Sequence, residues 1–164
     1  MCGASPVKLK LTTTFGEQRV LKEAPDHHDA DLVLKIYDLR REAVMRESRS
    51  AINAKYWPRT EAEALAVTTA EHPLNVAFRQ IANYWEMVYG MARHGIIHAD
   101  FLVENNAEGL LLYARVEPWL AAFRKATSPR SFRNAEWVAV NCPTGQMLME
   151  GYRARVKRTL EASG

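Results

Sequence analysis

The chain has 164 residues, 48% of them apolar and 25% charged, with a formal net charge of +3. That length supports one domain with its own core, and the composition excludes a disordered chain, a two-cysteine sequence excludes a disulfide scaffold, and no apolar run approaches the roughly 18 residues of a membrane span. The charge is uneven: residues 1–114 hold 13 Lys/Arg and 15 Asp/Glu, whereas residues 115–164 hold 9 and 4, so the C-terminal third is basic and suited to an acidic partner.

The opening Met1-Cys2-Gly3-Ala4-Ser5-Pro6 lacks the basic head and apolar run of a secretory signal and the Met-Gly of a myristoylation site. A reducing cytoplasm, with Cys2 and Cys142 as free thiols, is the expected compartment. Residues 1–28 read as an N-terminal arm separate from a single helical domain over 29–164. Val7, Leu9, Leu11, Thr13 and Phe15 alternate with polar residues at strand period. Gly16-Glu17 can turn the chain into Arg19-Val20-Leu21, giving a small docked hairpin; a loose arm is equally compatible, because a lone hairpin is marginal.

A first helix is predicted over about 29–53, where Leu32, Ile36, Leu39 and Ala43 share one face, widened by Val33, Tyr37 and Val44. Asp29 and Asp31 suit its positive end. Tyr56-Trp57-Pro58 ends the unit, since a residue before proline avoids helical backbone. Thr60-Glu61-Ala62-Glu63 is a capping box for a short helix to about Ala70, and His72-Pro73 opens the next helix. That helix, 74–94, carries the strongest pattern. Leu74, Phe78, Ile81, Trp85, Val88 and Ala92 form one stripe, with Ala77, Tyr84 and Met91 beside it. An apolar arc this wide belongs to a central helix touched by several neighbours, and Gly95 suits a left-handed stop.

A short helix over about 99–105 follows. Asn106 can cap a helix holding Leu112, Val116, Leu120 and Phe123, which Pro118 should kink or split. Ser128-Pro129 starts a helix with Trp137 and Val138, residues 141–145 turn, and the last helix, about 146–161, shows Leu148, Tyr152, Val156 and Leu160 at intervals of four. The expected fold is all-α: an irregular bundle of about six or seven helices around helix 74–94.

The order of Leu39-Arg40-Arg41-Glu42, Tyr56-Trp57-Pro58, Asn83-Tyr84-Trp85-Glu86, Gly95-Ile96-Ile97, Phe101-Leu102-Val103 and Tyr113 to Trp119 resembles a family of uncharacterised bacterial helical proteins, a domain of unknown function. The resemblance covers about residues 30–140. It implies a helical domain without an assigned activity, and family members often carry a membrane helix ahead of it. This chain departs there, because residues 1–28 are not apolar enough to span. It also has His98 where an acidic or hydroxyl cap is expected. No catalytic residue carries over.

Few residues suggest chemistry. His94, His98 and Asp100 are the best metal candidates, with Glu104 nearby, but Gly95 should break the helix between the two histidines. The simpler assignment makes both histidines helix-end residues. Asp26-His27-His28-Asp29 reads as a solvated helix entry. Glu86, on the central helix, is expected in a structural ion pair with Arg40 or Arg41 rather than as a catalytic acid. Cys142 has no activating neighbour in sequence. Arg124, Lys125, Arg130, Arg133, Arg153, Arg155, Lys157 and Arg158 make up the basic set, and Tyr56, Trp57, Trp119 and Trp137 are candidate interface aromatics.

The reading is therefore a non-catalytic helical interaction or scaffolding module, with a protein partner or a second copy as its ligand, no cofactor and no membrane span. Two alternatives stand beside it. One is a metal-binding enzyme or sensor using His94, His98 and Asp100, joined by His27 or His28. The other is nucleic-acid association through the basic C-terminal third.

Overall fold

The computed structural model describes residues 22–162. The expected strand-period segment at 7–21 lies outside them. Among the described residues there are nine α-helices, one 3-10 turn and no strand. The all-α bundle is as expected. The helix count exceeds six or seven because two expected helices are each broken in two.

The first break was not visible in the pattern. Helix α1 spans His27–Arg40 and α2 spans Ala43–Lys55. Between them Glu42 adopts extended backbone (φ −56°, ψ 147°), without a glycine or proline to announce it. The break lets the two halves face different neighbours. Helix α1 buries Val33 and Ile36 and packs on α5 and α2, whereas α2 turns Met45, Ser48 and Ile52 onto the central helix. The second break is the predicted one: Pro118 sits in the 3-10 turn Glu117–Trp119, which separates α6 (Glu108–Val116) from α7 (Leu120–Ala126).

Several ends follow their sequence signals. Thr60 caps α3 (Glu61–Ala66) by accepting the Glu63 N–H at 3.2 Å; the Glu63 carboxylate reaches past the cap to the Arg59 N–H at 2.8 Å. Helix α4, Asn75–Arg93, ends at Gly95 with φ 69°. There the Ile96 N–H donates to Met91 O and the Gly95 N–H to Ala92 O, the paired bonds of a Schellman stop.

Helix α4 buries Phe78, Ile81, Tyr84, Trp85, Val88, Tyr89 and Ala92, and it lies against α2, α5 (Ala99–Asn105), α6 and α8 (Arg133–Asn141). Each large side chain so buried contributes roughly 1.5–3 kcal/mol. Helix α6 is more enclosed still, buried from Gly109 through Val116. It approaches α4 so closely that a Cβ on Gly109 would stand 2.5 Å from the Trp85 ring. Helix α9, Pro143–Ala162, closes the bundle over α5, α6 and α8.

The enclosed α6 carries a cation. Arg115 is 2% exposed and donates to Ile52 O at 3.2 Å, to Tyr56 O at 3.4 Å and to Asn53 Oδ1 at 2.9 Å. It thereby satisfies carbonyls at the C-terminal end of α2, where the helix dipole favours positive charge. The Trp57 ring covers it at 3.9 Å, so this tryptophan shields a buried arginine. Burial lowers the guanidinium pKa to about 10, which leaves it charged at neutral pH.

Candidate functional site

The residues singled out for metal chemistry are placed at helix ends. His94 is the exposed C-cap of α4. His98 is the N-cap of α5: its Nδ1 accepts the Phe101 N–H at 3.2 Å, and its own N–H donates to Asp29 Oδ1 at 3.2 Å. An imidazole nitrogen thus does the work for which an acidic or hydroxyl cap was expected. Asp100 Oδ1 accepts the Thr144 N–H at 2.8 Å and the Cys142 thiol at 3.2 Å, capping α9 from another helix. Burial pushes the Asp100 carboxyl up, but the bonds from Thr144 and Cys142 outweigh it and hold it below the ordinary value. Among the described residues no group of three His, Cys, Asp or Glu gathers so as to hold a metal ion.

The helix entry at 26–29 is solvated only in part. Asp26, His27 and His28 are exposed, yet Asp29 is fully buried. It closes a capping box with Asp26, and it accepts from Lys22 Nζ at 2.8 Å as well as from His98. Burial raises its carboxyl pKa, but these donors outweigh burial and leave a net depression. Burial raises the Cys142 thiol to about 12, which disfavours the thiolate at neutral pH. A small cavity of about 120 Å³ at this corner is lined by Lys22, His98, Asp100 and Cys142.

Glu86 is structural, but its partner is not an arginine of α1. Its Oε2 accepts the Asn134 N–H at 3.1 Å and its Oε1 the Ala135 N–H at 2.8 Å, at the N-terminus of α8. Arg40 instead lies 3.8 Å from Glu108, and Arg41 over the Tyr37 ring. Helix α8 needs this external cap because its N-cap position is Phe132, which offers no side-chain acceptor. Burial raises the Glu86 carboxyl against the lowering effect of the two N–H groups.

Phe132 has φ 56°, a left-handed conformation that is rare for a bulky side chain. It is buried, and its ring meets Phe78 and Phe123 at centroid distances of 6.2 and 5.8 Å. These three rings floor a cleft of about 360 Å³ between α4, the segment before it, α7 and the α7–α8 loop. Some polar groups on its wall are spent on their own backbone: Asn75 Nδ2 donates to Val67 O, and the Thr127 hydroxyl to Phe123 O. The side chains of Arg79 and Asn83, exposed at the rim, make no hydrogen bond or ion pair with any described residue. Both also border a shallower depression with Val76, Gln80, Tyr84 and Met87. Sequence reasoning missed this cleft. Its signal was present: Asn75, Arg79, Asn83 and Glu86 recur at helical spacing on one face of α4.

The family model for a domain of unknown function, DUF4760, matches residues 25–142. The chain belongs to this family. No curated protein and no solved structure matches it. The DUF4760 match runs from just before the α1 cap to Cys142, so it contains the α4 cleft and most of the capping network, while α9 lies beyond it. No helix among the described residues of this DUF4760 protein is long and apolar enough to cross a membrane.

The basic set divides in two. Arg124 is paired with Glu136 at 2.6 Å, Arg153 with Glu117 at 2.6 Å and Lys157 with Glu161 at 4.0 Å. Lys125, Arg130, Arg133, Arg155 and Arg158 are exposed and form no salt bridge with described residues. Lys125, Arg130 and Arg133 lie on the end of α7, the α7–α8 loop and the start of α8, beside the cleft but not in its lining, and Arg155 and Arg158 lie on α9.

Proposed function

We propose that this protein is a non-catalytic helical interaction module of the cytoplasm that docks a partner in the α4 cleft. The carrying observation is that Arg79 and Asn83 stand uncommitted above an aromatic floor. A concave, largely apolar site with a few free polar groups is the usual form of a binding site, and the left-handed Phe132 in its floor adds a strained residue of the kind found at such sites. The groups most suited to catalysis support the same reading. His98, Asp100 and Glu86 are each engaged at a helix N-terminus, and the thiol of Cys142 is buried and protonated. A buried free thiol also fits a reducing compartment.

The test is affinity capture from the source cell with wild type and Ala82→Trp, a substitution that fills the cleft, alongside sedimentation of both proteins. The reading expects a specific partner that Ala82→Trp loses while melting at the wild-type temperature. A concentration-dependent dimer dissolved by the same substitution would make the partner a second copy. Equal capture by both proteins would move docking away from the cleft, and an empty capture with strictly monomeric behaviour would overturn the reading.

A further inference from the structure

Resting on the docking reading above, we infer that the cleft takes an acidic segment of a partner protein, anchored by one large apolar side chain. Three observations carry this. The first is the floor. Phe78, Phe123 and Phe132 are 5%, 2% and 5% exposed, and Phe132 meets its neighbours at 64° and 85°, ring edge to ring face. The rings leave little surface open themselves; Ala70 and Ala82 on the wall add the accessible apolar area from which an apolar side chain gains. A nucleic-acid base does not, because stacking needs an open aromatic face and these rings cover one another.

The second is charge. Arg79 on the rim, with Lys125, Arg130 and Arg133 beside the cleft, forms a set of exposed cations without acidic partners among the described residues. Glu86, in the cleft wall, is engaged with the α8 amides and Glu136 with Arg124, which leaves Glu71, beside the lining residue Ala70, as the exposed acid at this end. Carboxylates on the incoming segment would complement this field, which sets encounter rate and specificity more than raw affinity.

The third is shape. The shallow depression flanks the cleft on the adjacent face of α4, from Val76 to Met87, which are 77% and 52% exposed. Eleven helical steps cover about 16 Å, the reach of about five extended residues. Asn83, shared by both depressions, offers one amide donor and one acceptor to a peptide backbone. The occupant is therefore a short extended stretch: an anchor in the deep part and acidic residues beside it.

The probes are fluorescein-labelled, terminally blocked heptapeptides with a central phenylalanine, tryptophan, leucine or methionine between aspartate and glutamate flanks. Control series carry the same anchors between lysines, or serine between the acidic flanks. Fluorescence anisotropy is expected to show binding of at least one acidic anchored peptide, roughly tenfold weaker or absent for both control series. The double variant Arg79→Glu/Arg133→Glu should weaken binding by roughly tenfold, and Ala82→Trp should abolish it, each at an unchanged melting temperature. Lysine-flanked peptides binding equally well, no acidic peptide binding, or a labelled single-stranded oligonucleotide binding in an Ala82→Trp-sensitive way would each overturn the inference. If cellular capture is lost in Ala82→Trp but survives the double charge reversal, docking at the cleft stands and the acidic occupant falls. If capture survives both, the two fall together.

Discussion

Two corners of this bundle hold residues with chemical potential, and they differ in what those residues are doing. At the α5–α9 corner Lys22, Asp29, His98, Asp100 and Cys142 look like an active site by residue type. Yet the carboxylates, the thiol and the capping imidazole nitrogen are joined in hydrogen bonds that finish helix ends. At the α4 cleft the residue types are plainer, but Arg79 and Asn83 are left over. A polar group whose bonds are complete stabilises the fold; one that is accessible and unused is available to a ligand. Glu86 shows the distinction within one site, since it lines the cleft and is nonetheless committed to α8.

The difference should be measurable as stability. Asp29→Ala removes the acceptor of a lysine and of the Asp26 and His98 amides from a fully buried position. It should cost about 3 kcal/mol in urea denaturation. A loss below about 1 kcal/mol would show the corner to be less integrated than its bonds imply.

Acid titration of stability separates the two corners by sign. The folded-state pKa values of Asp29 and Asp100 are depressed below 3.8. Their stabilisation is therefore present above that value and lost as pH falls through the lower folded value. Glu86 is raised above 4.5, so its contribution is full below that value and declines as pH rises through the higher folded one. Unfolding midpoints across pH 2–6 should show a shallower acid limb in Asp100→Asn and a steeper one in Glu86→Gln. A steeper limb in Asp100→Asn would contradict the depressed carboxyl.

Smaller effects follow at the cleft. Glu86→Ala deprives α8 of its cap and should cost about 1–2 kcal/mol by thermal or chemical unfolding. Arg79→Ala and Asn83→Ala should each fall within about 0.5 kcal/mol of wild type while weakening peptide binding. If either costs more than about 1 kcal/mol, the residue is structural and the cleft has fewer free groups than argued.

Much of the fold was legible because it is written in short-range pattern. The Phe78–Ala92 stripe, the Gly95 stop, the Thr60 cap and the Pro118 break all depend on residues within a turn or two of one another. The division of α1 from α2 was not legible, because residues 41–42 carry no breaker and the turn serves packing on other helices. Arg115 gave no local sign of being buried, and Trp57 looked like an interface residue until its partner was known.

The sequence by itself determined an all-helical bundle over the described residues, the placement of its central helix and the family to which the chain belongs, since helical periodicity, caps and proline or glycine stops act over three or four residues. Only the tertiary structure decided which polar residues are spent. Glu86 meets its amides 48 and 49 residues away, Asp100 meets Thr144 at 44, and Arg115 meets Asn53 at 62. Those pairings satisfy buried donors and acceptors across helix crossings, and no local spacing encodes them. At the α4 cleft the side chains of Arg79 and Asn83 stay outside those pairings.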